Sequence, residues 1–256
     1  MAESAPARVP PRRAVILAGG LGTRVQHLLP GTPKPMAPVA GRPFIDWVIR
    51  FLARQGVREI VISTGHLADV VSGYASRLRI PGVSISCAPE TQLLGTAGGV
   101  LNAVASRPQG PDPWLVCNGD SLALTDLSRL YPWLQRPRVD AAMLGLRLDD
   151  ASRYGSLQVG EDGLLRRFGE KQPGPGWINA GVYLFRADLL ARFPPQRPLS
   201  LERDVFPGLL QQGIKIGADL AQCPFLDIGT EASLRQAASF IASHPDAFAA
   251  EKAHAS

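Results

Sequence analysis

Ala14-Val-Ile-Leu-Ala-Gly-Gly-Leu-Gly-Thr-Arg24 sets an uninterrupted apolar run against a glycine-rich turn that ends on an arginine. Five apolar residues without alternation, bounded by charge before and glycine after, predict a strand buried on both faces, the kind that belongs to a parallel sheet. The glycines after it let backbone N–H groups approach phosphate oxygens closely, and Arg24 offers a rigid fork of donors to the same oxygens. The turn thus reads as a phosphate cradle formed by Leu17, Ala18, Gly19, Gly20, Gly22 and Thr23. It is not a Walker A loop, which ends in Gly-Lys-Ser/Thr, and it departs from the dinucleotide pattern because Val25 stands where the third glycine belongs. A glycine pattern of this length also serves as a plain strand-to-loop turn, so the neighbouring residues decide its meaning.

Outward from this point the chain alternates. Apolar residues from Phe44 to Leu52 recur at helical spacing, with Pro43 suited to the first turn and Gly56 to the end. Strands follow at Arg58–Ser63, Val83–Cys87 and Trp114–Asn118, separated by a helix over His66–Leu78 and another over Thr96–Ala105 capped by Thr96. The order βαβαβαβ predicts an α/β fold: a doubly wound, Rossmann-like, mixed but mostly parallel sheet with helices on both faces and a crevice beyond the carboxyl ends of the strands. After Asp120 the rhythm changes to strands at Asp140–Leu148, Tyr154–Val159, Leu164–Phe168 and Ile178–Phe185, with Glu161-Asp-Gly163 as a hairpin signal. Ser200–Leu210 and Glu231–Ala242 return to helical patterning, the latter after a strand ending at Phe225-Leu-Asp-Ile228. The organisation expected is a loose tail over 1–12, one domain over 13–243 with halves meeting near residue 125, and a frayed tail over 244–256.

Composition narrows the function. With 256 residues, 45% hydrophobic and 19% charged, the chain is neither disordered nor fibrous. Its apolar runs are too short for a membrane span, and Met1–Arg12 lack a signal peptide's apolar region, so the cytoplasm is the expected compartment. Cys87, Cys117 and Cys223 are spaced for neither a disulfide framework nor a metal knuckle and read as free thiols. The net charge of +5 is scattered among acids, which suits small anions better than nucleic acid. Trp47, Phe51, Trp114 and Trp133 read as packing residues, and His27, His66, His244 and His254 show no metal-ligand spacing. Nothing in the sequence sets an oligomeric state.

Two further features carry chemistry. Pro33-Lys-Pro35 fixes Lys34 on a stiffened loop, which holds an ammonium in place before an anion arrives. Asp120, after the apolar strand Trp114–Cys117, and Asp227, also at a strand end, place two carboxylates beside the crevice. Two carboxylates with phosphate oxygens are the donors that an octahedral Mg²⁺ requires.

Leu17-Ala-Gly-Gly-x-Gly-Thr-Arg24 followed by Pro-Lys-Pro resembles the signature of the sugar-phosphate nucleotidyltransferases. The resemblance runs on through Gly95-Thr-Ala-Gly-Gly99, Asn118-Gly-Asp120, Glu170-Lys171, Asn179-Ala-Gly-Val-Tyr183 and Phe225-Leu-Asp-Ile-Gly-Thr230, over roughly residues 13 to 240. It implies a glycosyltransferase-A-like fold and a reaction joining a nucleoside triphosphate to a sugar 1-phosphate with release of pyrophosphate. By the same likeness Arg24 and Lys34 hold the triphosphate and stabilise the leaving group, and Asp120 and Asp227 hold Mg²⁺. Glu90, Gly95 and Thr96 join the glycine turn around the nucleotide, where a Glu90 carboxylate suits guanine's two N–H donors but also accepts uracil's one. Tyr154, Gly155, Glu170, Lys171 and Asn179 fall to the sugar phosphate, with Gln172 departing from the usual Glu-Lys-Pro.

Ala151-Ser-Arg-Tyr-Gly155, Leu199–Pro207 and the short chain look most like the bacterial branch that acts on D-glycero-α-D-manno-heptose 1-phosphate and GTP, in surface-polysaccharide assembly. N-acetylmuramic acid 1-phosphate uridylyltransferases and mannose 1-phosphate guanylyltransferases are the competing branches. A regulatory domain that binds nucleotide or sugar without turnover is the non-enzymatic alternative, and a Rossmann oxidoreductase is weakened by the missing third glycine.

Overall fold

Val15, Val61 and Val116 lie on neighbouring strands and point to one side of a sheet, while Ala14, Ile16, Ile60, Ile62, Leu115 and Cys117 point to the other. All are buried, because helices cover both sides, and this explains why these strands carry continuous apolar runs instead of alternation. The computed structural model describes residues 11–169 and 173–249.

The first half contains β1 (Arg13–Ala18), the short pair β2 (Pro38–Val39) and β3 (Arg42–Pro43), α1 (Phe44–Arg54) and β4 (Glu59–Thr64). It continues with α2 (Ala68–Ala75), β5 (Ser84–Pro89), α3 (Gly95–Ala105), β6 (Trp114–Asn118) and β7 (Ser121–Ala123). Then come α4 (Tyr131–Gln135), β8 (Val139–Leu148), β9 (Ser156–Val159), β10 (Leu165–Gly169) and β11 (Gly176–Phe185). The chain ends with α5 (Ala187–Leu190), a π-helical turn at Leu201–Val205, α6 (Phe206–Gln211), β12 (Lys215–Ala221), β13 (Phe225–Asp227) and α7 (Glu231–Ser243).

The predicted alternation holds through β6. Strands β5-β4-β1-β6 are all parallel, and the order reverses between β1 and β6, so the loops after these two strands flank a topological switch point. Antiparallel β11 joins this half to the second: Val182–Phe185 pair with β6, its other edge pairs with β8, and β8 carries β12 in parallel. The β9–β10 hairpin turns at Gly163 (φ +74°) as Glu161-Asp-Gly163 predicts. The result is the doubly wound mixed sheet with helices on both faces.

Several local expectations are corrected. Pro43 is extended (ψ 145°) and precedes α1 as its N-cap, whereas Gly56 (φ +92°) closes that helix as expected, with Gly56 N–H on Ala53 C=O and Val57 N–H on Leu52 C=O. Thr96 does not cap α3; it lies inside the helix, whose cap residue is Leu94. Ser200–Leu210 is a π-helical turn followed by α6. β12 was not anticipated, because Lys215, Gly217 and Asp219 break its apolar pattern. The frayed tail does not begin at His244: Phe248 is 6% exposed and packs edge-on against Trp47.

Candidate active site

A cleft of about 500 Å³ opens at the switch point. Of the residues assigned to the nucleotide, its wall contains Leu17, Ala18, Gly19, Gly20, Gly22, Thr23, Glu90, Gly95 and Thr96, together with Arg24, Lys34 and Asp120. Register explains the convergence: Leu17, next to last in β1, stands opposite Asn118 of β6, and the Gly119 N–H donates to the Leu17 carbonyl at 2.8 Å.

Lys34 is 8% exposed, held in a 3₁₀ turn that lies against the glycine loop. Gly22 makes this packing possible. Its φ of +61° favours glycine, and a Cβ there would stand 2.8 Å from the Lys34 Cβ. The Lys34 Nζ donates to Asp120 Oδ2 at 2.6 Å and lies 3.7 Å from Asp227 Oδ1. The two aspartates are brought together by a ribbon that the sequence did not reveal, in which β7 and β13 pair antiparallel with Asp227 opposite Ser121, and the Ile228 N–H donates to the Asp120 carbonyl.

Asp227 has three more partners. The Gly229 N–H donates to its Oδ1 at 2.7 Å, the Arg153 guanidinium meets Oδ2 at 2.8 Å, and the Tyr154 hydroxyl donates to the carboxylate. Burial, reinforced by the Asp227 charge, pushes that hydroxyl up to about 12, so Tyr154 remains a donor at neutral pH. Two carboxylates and two cations therefore meet in one corner. Both carboxylates offer hard oxygen donors and converge on a single point now served by an ammonium, which fits a divalent cation completed by substrate phosphate oxygens. Arg24 is exposed at the cleft, and no ion pair to another described residue engages it.

Glu90 sits beneath the glycine turn. Its Oε1 accepts from Ser63 Oγ at 3.0 Å and its Oε2 from the Leu94 N–H at 3.1 Å, which fixes the carboxylate while leaving acceptor capacity. Gly95 (φ +76°) lets α3 start against the Leu199 backbone: the Leu199 N–H donates to Leu94 C=O and the Ala97 N–H to Leu199 C=O.

The sugar-side residues are placed differently. Tyr154 stands beside Asp227, but neither it, Gly155 nor Asn179 lines the cleft. A Cβ on Gly155 would strike the Phe168 ring. Asn179 braces a bulge in β11, accepting from the Gly181 N–H at 3.0 Å and donating to the Tyr183 hydroxyl at 2.6 Å. Glu170, Lys171 and Gln172 lie outside the described residues, as does His254.

Sequence reasoning missed one whole wall, formed by Pro198, Ser200, Glu202 and Arg203. The stretch Leu199–Pro207 stood out only as a likeness to one branch and as helical patterning, so Glu202 was given no site role. Arg153 was given no role of its own, because its partner Asp227 lies 74 residues away in sequence. The three cysteines are free, and the four aromatic packing residues lie in or against the core. No helix among the described residues is long and apolar enough to cross a membrane.

A mannose-1-phosphate guanylyltransferase of Mycobacterium tuberculosis is 34% identical over 220 residues, which is 85% of this chain and 61% of that protein. The chain thus spans less than two thirds of that relative's length. A D-glycero-alpha-D-manno-heptose 1-phosphate guanylyltransferase of Campylobacter jejuni is 31% identical over 85% of this chain and 94% of its own. Among solved structures, HddC from Yersinia pseudotuberculosis superposes with a TM-score of 0.79 at 29% identity, covering 89% of this chain and 98% of HddC, and a second structure of HddC is a complex with GMP-PN. The family described as nucleotidyl transferase matches residues 13–244, and the chain belongs to that family.

Proposed function

We propose that this chain is a sugar-1-phosphate guanylyltransferase that joins GTP to D-glycero-α-D-manno-heptose 1-phosphate, giving the GDP-sugar and pyrophosphate. The observation that carries the reading is Lys34, held between Asp120 and Asp227 beneath a glycine turn at the switch point. The Campylobacter relative supports the heptose. Mannose 1-phosphate is the second reading, favoured by the Mycobacterium relative.

In this reaction an oxygen of the sugar phosphate forms a bond to the α-phosphorus of GTP. The bond from that phosphorus to the β-bridging oxygen breaks, and its electron pair leaves with pyrophosphate. The protein's task is to position and to neutralise charge. Backbone N–H groups of Gly19–Thr23 cradle phosphate oxygens, Arg24 clamps them, and Lys34 faces the charge that grows as pyrophosphate departs. Glu90 accepts from the base, and Lys171 and Glu170 receive the sugar's phosphate and hydroxyls. Asp120 and Asp227 would hold Mg²⁺, which supplies neutralisation of the triphosphate when bound.

The test crosses GTP, UTP, ATP, CTP and dTTP with heptose, mannose, glucose and N-acetylmuramic acid 1-phosphates and reads pyrophosphate. GTP with the heptose should give the highest kcat/KM. An optimum with mannose 1-phosphate shifts the sugar, and one with UTP and an amino sugar overturns the base as well.

A further inference from the structure

Glu202 is a third carboxylate in the wall of the cleft, beside Glu90 and the lysine-bound Asp120. It has no ion pair with any described residue, and its partners are neutral hydroxyls: Thr96 Oγ1 at 3.0 Å and Ser200 Oγ at 2.8 Å, both on Oε2, and the hydroxyl of fully buried Tyr183. The arrangement is braced from three elements. Thr96 also accepts from the Leu201 N–H at 2.8 Å, Tyr183 accepts from Asn179 at 2.6 Å, and Ser200 accepts from the Arg203 N–H at 3.2 Å across the π-helical turn.

An ionised carboxylate accepts about four hydrogen bonds and donates none. Three are filled from the protein, which fixes the group and leaves acceptor capacity at the cleft. Facing phosphates it would only repel. A fixed, unneutralised carboxylate in such a cleft fits a ligand's hydroxyl, and both expected substrates are polyols joined to phosphate.

We propose that Glu202 is a specificity-determining residue that accepts a hydrogen bond from a substrate hydroxyl. Hydroxyls of the sugar 1-phosphate and of the nucleotide ribose share this chemistry, and the experiment separates them. The inference rests on the guanylyltransferase reading.

Wild type and E202Q are assayed with GTP and with heptose or mannose 1-phosphate. The assays are repeated with 2′-deoxy-GTP and 3′-deoxy-GTP, and with mannose 1-phosphates deoxygenated at C2, C3, C4 or C6. E202Q should lose about 10- to 100-fold in kcat/KM on the full substrates, the range for a hydrogen bond to a charged group. One deoxy analogue should be turned over equally by both enzymes, and whether it is a ribose or a sugar analogue names the source. A loss of the same factor on every analogue makes Glu202 a structural brace and overturns the proposal. Should E202Q melt below the assay temperature, E202D, which keeps the charge but withdraws it by one methylene, is read by the same criterion. Absence of turnover by the wild type with every substrate pair sinks the guanylyltransferase reading itself, whereas turnover with a uniform loss sinks only this inference.

Discussion

Lys34 enters the cleft between two prolines and meets two carboxylates, so its charge is committed before any substrate binds. The same ammonium would have to serve the triphosphate, and the two demands are compatible because a divalent cation can take over the aspartates. A consequence follows for K34M. Without the ammonium, Asp120 and Asp227 retain only Arg153 among the cations described around them, and their mutual repulsion rises. We expect K34M to lose about 10²-fold or more in kcat, the scale for removing one preorganised charge from a transition state. We also expect Mg²⁺ to raise its Tm by more than it raises that of the wild type, because binding to the native state stabilises by mass action. Equal Mg²⁺-induced shifts in the two proteins would show that Lys34 does not balance the aspartates, and a rise in KM for the sugar phosphate with kcat unchanged would place Lys34 on the other substrate.

Strand β11 decides how the two halves meet. Between Asn179 and Tyr183 it bulges against β8, and Gly181 (φ +73°) sits at the bulge so close to Asn118 that a Cβ would strike the Asn118 amide. Asn118 precedes Gly119 and Asp120, so a push there moves the loop that carries the aspartate. G181A should therefore lower stability by about 1–3 kcal/mol, the range for forcing a side chain into left-handed backbone. That corresponds to a fall in Tm of a few degrees for a chain of this size. It should also lower kcat, and a variant with wild-type kcat and Tm would show that the bulge neither positions Asn118 nor carries strain. The bulge marks where sequence reading stops. β1, β4 and β6 were legible because each is a short apolar run buried on both faces and ended by a polar or glycine residue. Asn179 also stood out, but as a sugar contact, because nothing local shows that an amide on the last residue before a break in the pairing register closes on its own strand. The β7–β13 ribbon is three residues on each side and about a hundred residues apart in sequence, so only the tertiary fold could show that Asp120 and Asp227 share a lysine.

At the scale of the molecule, the cleft depends on a core that wraps well past it. α7 begins with a capping box, in which the Thr230 hydroxyl accepts from the Ser233 N–H and Ser233 Oγ accepts from the Thr230 N–H. Thr230 follows Gly229, whose N–H holds Asp227, so the start of this helix and the acidic corner are set together. At the other end the chain turns through Pro245–Ala247 and lays Phe248 edge-on against Trp47, ring centroids 5.3 Å apart, while the Trp47 indole N–H donates to the Val39 carbonyl at 2.9 Å. This clasp ties the C-terminal helix to α1 and to the short β2–β3 pair that follows the lysine loop. Its energy is that of burying one aromatic side chain, about 1.5–3 kcal/mol, with some 0.5–1.5 kcal/mol more from the ring pair. F248A should accordingly lower Tm by about 4–18 °C at 2–4 °C per kcal/mol. KM for both substrates should stay at wild-type values, because the side chain is outside the cleft. Thermal melts followed by tryptophan fluorescence, beside steady-state kinetics below the transition, measure both quantities. A Tm within a degree of wild type would mean that Phe248 leaves Trp47 in solution, and a changed KM would mean that the clasp reaches the lysine loop through Val39.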